Sequence, residues 1–164
     1  MPTRTAFVSP ADSEARDLAR SLLKRAHHAA LAVIEPTTGF PGISRIALAL
    51  DDDGTPLTLI SDIAAHAAAL RAQPEAAILV GEPGAKGDPL THPRLMMGIT
   101  AHFVSREDQN YRALRNLYLA QRPKSKLYID FSDFSLVRLL PRTVLLNGGF
   151  GRAWQLSPQD ISSD

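Results

Sequence analysis

The segment 57–80, LTLISDIAAHAAALRAQPEAAILV, constrains the fold most, because it reads as strand, sharp turn, short helix, strand. Residues 57–60 and 76–80 are apolar runs of strand length, residues 62–72 are alanine-rich and helical, and Pro74 ends the helix. At the turn, Ser61-Asp62 is expected to open the helix, with His66 one turn further in. A helix start has unpaired amide N–H groups and the positive end of the macrodipole, so a hydroxyl and a basic side chain there suit a phosphate. Serine and aspartate also begin many helices simply as N-caps. Asp62 and His66, four residues apart, share a helix face and can pair with each other.

The rest of the chain alternates in the same way. Ala15, Leu18, Ala19, Leu22, Leu23 and Ala26 mark one apolar face of a helix over 12–28, which Asp12 or Ser9 can cap. Residues 29–35, 43–50 and 57–60 read as a three-strand meander, with turns at TTGFPG and at Asp51–Gly54. The stretch 81–93, GEPGAKGDPLTHP, is a long loop of the kind that is often functional, and it contains His92. A strand at 95–104, which includes His102, precedes Ser105-x-x-Asp108, whose spacing predicts a capping box and a helix carrying Tyr111, Leu114 and Tyr118. Residues 134–140 and 144–146 supply two last strands, and Gly148-Gly149-Phe150-Gly151 bends the backbone sharply. Six or seven strands with few, separated helices predict a mainly β, small antiparallel barrel with flanking helices. At 164 residues the chain has room for one domain, read as 12–160, with a flexible N-terminus at 1–11 and a tail at 161–164.

Composition removes several function classes. With no cysteine, thiolate metal sites, disulfide scaffolds and cysteine nucleophiles are excluded. A net charge of +1 gives no electrostatic reason to expect nucleic acid. No apolar run approaches the roughly 20 residues of a membrane helix, and MPTRTAFVSP lacks a signal-peptide core, so no membrane partner and a cytoplasmic location are expected. The histidines lack metal-ligand spacing and no Gly-x-Ser-x-Gly elbow is present. Asp51-Asp52-Asp53 lacks the alternation of a calcium loop and reads as a solvated turn.

Two arginines stand out. Arg45 interrupts the apolar strand SRIALAL, where it either meets an anionic partner or faces water at a strand edge. Arg94 enters a strand directly from the long loop, a place from which a charge reaches a site or merely fringes a sheet.

With Arg45 on the second strand, the ISDIAAH turn, Asp133-Phe134 and the terminal GGFGRAWQL in order, the chain resembles the FMN-binding split-barrel family of pyridoxamine 5′-phosphate oxidase. Within it, the chain is most similar to the branch of haem-utilisation proteins of the HugZ/HutZ type. The resemblance implies a homodimer of six-stranded antiparallel split barrels with FMN between subunits, acting as an oxidoreductase on a small-molecule substrate. It assigns Arg45 to the FMN phosphate and Ile60, Ser61 and Asp62 to the flavin. His66 falls where the oxidase has a phosphate-binding lysine, and Arg94 begins the strand whose next residue, a glutamine in the oxidase, is Leu95 here. The oxidase's C-terminal Arg-x-His is missing, as is the haem branch's histidine after the glycine motif. The implied alternatives are haem as the cofactor, or a non-catalytic cofactor-binding module.

Overall fold

The computed structural model describes residues 8–163. The expected flexible N-terminus therefore lies mostly outside the described residues. Its Ser9–Pro10, however, form a short strand, β1, parallel to the last strand. Helix α1 (Ser13–Arg25) follows, capped by Asp12, whose side chain accepts from the Ala15 amide at 2.8 Å. Its expected apolar face buries Ala15, Ala19, Leu22 and Leu23.

Strands β2 (His28–Ile34) and β3 (Pro41–Ala47) form the first hairpin, and β4 (Ala49–Leu50) and β5 (Pro56–Ser61) the second. The expected three-strand meander is interrupted between them. Leu48, fully buried, donates its amide to His27 O, and no ladder joins β3 to β5. Helix α2 (Ala65–Ala72), β6 (Glu75–Val80), β7 (Arg94–Phe103) and α3 (Tyr111–Gln121) lead to the long β8 (Phe134–Gly149). Strand β9 (Arg152–Leu156) and the short α4 (Pro158–Ile161) complete the chain.

The hydrogen-bonded order runs β3-β2-β6-β7-β8-β9-β1, with β5 on the first half of β8 and β4 beyond it. The sheet is open, which makes this a split barrel. The two strands expected at 134–140 and 144–146 are one strand. Gly98 pairs with Thr143 and Ile99 with Pro141, so Arg142 is the extra residue of a bulge, and a bulge tolerates proline inside a strand. Likewise, Ser105 and Asp108 make no capping box. Their side chains accept from the Glu107 and Asn110 amides, each closing its own turn before α3 begins.

Alternation divides the main sheet into two faces. Ala29, Leu31, Val33, Ile78, Val80, Leu95 and Met97 point into the core beneath α1, while His28, Ala30, Arg45, Leu79, Arg94 and Met96 belong to the outer face. A second cluster beneath α3 joins Tyr118, Ile129, Leu136 and Leu57. Ile161 packs in the main core and the Ser163 amide donates to Asp53 O, so packed contacts continue into the expected tail. No described helix is long and apolar enough to cross a membrane.

Candidate functional site

The outer face presents a straight cross-strand row. Arg45 on β3 sits opposite Ala30 on β2, Ala30 opposite Leu79 on β6, and Leu79 opposite Met96 on β7. Strands stand about 4.8 Å apart, so the row is a flat apolar strip with a guanidinium at one end. Ile43, Leu79 and Met96 are 77%, 42% and 37% exposed. Arg45 makes no hydrogen bond or ion pair among the described residues, and its side chain faces solvent. On the same side, His28 Nε2 lies 2.9 Å from Glu82 Oε1. That hydrogen bond, with a smaller contribution from the charge of Arg45, holds the Glu82 carboxyl below its ordinary range.

Ser44 points to the other side of the edge strand β3. Its Oγ is 3.0 Å from His66 Nδ1, in the first turn of α2. Burial moves the His66 imidazole below its usual range, opposed by the charge of Glu35. The N-cap of α2 is Ala64, which offers no side-chain acceptor to the first-turn amides. A hydroxyl, an imidazole and an uncapped helix start suit a phosphate or carboxylate.

The site expected around Ser61 and Asp62 is assembled differently. Helix α2 opens at Ala65, because Ser61 and Asp62 are held by Asp133: Ser61 Oγ donates to its carboxylate at 2.8 Å, and the Asp62 amide to its carbonyl at 2.7 Å. Asp62 Oδ1 accepts from Arg71 at 2.8 Å, so it does not pair with His66. Arg71 in turn lies 4.0 Å over the Phe103 ring. Ile60 is 2% exposed, which leaves its backbone as its means of touching a ligand. Arg94 is half-buried and donates to the carbonyls of Leu90 and His92 at 3.2 and 3.5 Å. Arg45 and Arg94 thus share the outer face, while His66 joins Ser44 on the other side of β3. Ser44 and Glu82 were not singled out from the sequence; for Ser44, a polar residue in phase with the buried Ile46 was the available signal.

The family profile "CREG, beta-barrel" matches residues 10–162. The chain belongs to the CREG β-barrel family. It is a split barrel of the pyridoxamine 5′-phosphate oxidase-like type, as the resemblance implied. It is 35% identical over 120 residues to the chloroplastic non-canonical haem oxygenase HOZ of Arabidopsis thaliana, covering 71% of this chain and 34% of that protein. A haem-binding protein from Mycobacterium smegmatis is 30% identical with a TM-score of 0.81, covering 94% of this chain and 61% of that one. The chain therefore spans about a third of the curated relative. HutZ, the haem storage protein from Vibrio cholerae, shares the fold, with 20% identity, a TM-score of 0.65, and coverage of 82% of this chain and 95% of its own.

This CREG barrel also has a cavity of about 300 Å³ away from Arg45, lined by Asp51, Asp53, His102, Asp108, Leu114 and Arg138 among others. Here the expected solvated turn is corrected at Asp51 alone, since Asp52 and Asp53 are exposed. Asp51 is 9% exposed, and Arg138 donates to Asp51 at 2.8 Å and to Asp53 at 3.1 Å. Burial first, then the hydrogen bond with Asp53, raises the Asp51 carboxyl to about 6, while that same bond holds Asp53 far below its ordinary range. A raised carboxyl means the folded chain holds its proton more tightly than the unfolded one. The stabilisation is complete below the ordinary value of 3.8 and fades as pH rises through about 6. Asp51→Asn keeps the neutral shape at every pH. The parent-minus-variant stability measured by urea unfolding should therefore fall by about 2–3 kcal/mol between roughly pH 4 and pH 7. A flat difference would show that Asp51 is ionised throughout.

Proposed function

We propose that this chain binds haem on the outer face of its sheet and handles it as a homodimer. The observation that carries the reading is the Arg45–Ala30–Leu79–Met96 row, a flat apolar strip flanked by the cations Arg45 and Arg94. Such a surface matches a planar macrocycle with acidic substituents, and Arg45, with no hydrogen bond or ion pair among the described residues, offers its fork to a carboxylate. Relatives at 35% and 30% identity whose names are haem oxygenase and haem-binding protein support the ligand class. A second copy covering Ile43, Leu79 and Met96 would remove an exposed apolar patch from water. When bound, haem supplies the redox chemistry. The chain's own residues hold its carboxylates, orient the ring and exclude water. The test is gel filtration with light scattering and full-spectrum absorbance after adding hemin. The expected result is a Soret band eluting with protein at about twice 17.8 kDa. Hemin eluting apart from the protein would overturn the reading.

The Ser44–His66 pair at the uncapped start of α2 favours a second reading, an FMN-dependent oxidoreductase acting on a small substrate. Burial favours neutral His66 in the free protein, whereas a bound phosphate favours the protonated ring. FMN binding then takes up a proton, so affinity falls as pH rises. His66→Lys should flatten that dependence. Because the phosphate itself titrates near about pH 6, variants must be compared at each pH, and parallel curves would remove His66 from the site.

A further inference from the structure

The loop between β6 and β7 is organised around one imidazole. His92 Nδ1 accepts from the Gly84 amide at 3.2 Å, and its Nε2 lies 2.9 Å from Lys86 O. Both partners are backbone groups with fixed roles: an amide can only donate and a carbonyl can only accept. The ring is therefore held as the neutral tautomer with its proton on Nε2. The packing is close, since a Cβ on Gly84 would lie 3.1 Å from His92 Cε1. Beside it, Asp88 caps the turn Pro89–Thr91 by accepting from the Leu90 amide at 2.9 Å. The carbonyls of Leu90 and His92 then receive Arg94. One chain of contacts thus runs from Gly84 through His92 to the guanidinium on the outer face.

We propose that His92 is a positioning residue for Arg94: its neutral ring holds the 84–92 loop closed, and a second proton on that ring opens the loop and frees Arg94, so that acid weakens ligand binding at the outer face. Adding the proton places Nδ1–H against the Gly84 N–H, which removes one hydrogen bond and sets two donors face to face. Neither partner can reverse its role. The titratable and charged groups on the loop and beside it are Glu82, Lys86, Asp88 and Arg94, with His28 on β2 bonded to Glu82 and the charge of Arg45 acting on that same carboxylate. Their effects are shared by a variant changed only at position 92. The loop device stands on geometry alone, and its link to ligand binding rests on the proposed function.

The experiment uses the full chain, with His92→Asn as a non-titrating side chain that keeps an acceptor toward Gly84. Nuclear magnetic resonance should report the Nε2–H tautomer of His92 and a protected Gly84 amide at about pH 8. Gly84 protection, corrected for intrinsic exchange, should fall about tenfold or more between about pH 8 and about pH 5. His92→Asn should keep its protection across that range, and the Arg94 side-chain resonances should broaden with acid in the parent alone. Hemin affinity, measured at each pH, should drop more steeply for the parent than for the variant. Gly84 protection that ignores pH, or a parent and variant that lose it together, would overturn the proposal. Failure of hemin to bind at about pH 8 would instead remove the haem reading, and the Arg94 resonances would then decide whether His92 positions it.

Discussion

Gly81→Ala should lower the melting temperature by about 5–15 °C, corresponding to roughly 2–4 kcal/mol in a chain of this size. Gly81 follows the last residue of β6 at φ +106°, where the chain leaves the sheet for the long loop. A Cβ there would stand 2.5 Å from Pro93 O and 2.7 Å from Arg94 Cα. Both are backbone atoms that cannot swing aside, so the neighbour pushed out of place is the residue that begins β7. Gly151→Ala separates the two contributions. It also has positive φ, +74°, but nothing lies within 4 Å of its Cβ position, so it should lose only about 1 kcal/mol from backbone strain. Thermal unfolding followed by circular dichroism is the measurement. Equal losses for the two variants would mean that the β6–β7 loop moves without resistance and does not fix Arg94.

Arg45→Ala should weaken hemin binding about ten- to hundredfold while changing the stability of the free protein by less than about 0.5 kcal/mol. The binding loss is the scale of a hydrogen bond between charged groups, roughly 1.5–3 kcal/mol. Stability should hardly move because Arg45 is exposed and makes no hydrogen bond or ion pair among the described residues. Esterified haem, which has lost its carboxylates, should bind parent and variant alike. Equal weakening for charged and uncharged forms would show that Arg45 shapes the sheet edge and does not hold the ligand's anion.

Much of the fold was legible before any coordinates. The spacing of Ala15, Ala19, Leu22 and Leu23 defines the buried stripe of α1, and Asp12 caps it as expected. The strand–turn–helix–strand segment and the long glycine- and proline-rich loop lie where composition and periodicity put them. The order of Arg45, the ISDIAAH turn and the terminal glycine motif pointed to the split barrel that the family match establishes. The helix stripe, its cap, the strand–turn–helix–strand segment and the loop are local, each following from the alternation of apolar residues, a turn residue or a cap within a few positions of chain, whereas the split barrel was implied by the family resemblance.

What only the tertiary structure decided is where each polar side chain finds its partner. Ser61 looked like a helix cap, yet its hydroxyl bonds Asp133, 72 residues away, so the helix begins later and Ser44 is the hydroxyl beside His66. Asp51 looked like part of a solvated turn, yet Arg138 reaches it across 87 residues and buries it. Pro141 looked like a strand end, but a bulge opposite Gly98 and Ile99 carries β8 through it. In each case the neighbouring sequence permits several outcomes of similar free energy. Strand register and packing against distant elements select one, because a buried polar group is costly unless its hydrogen bonds are met, and only the folded chain brings the distant partner within reach.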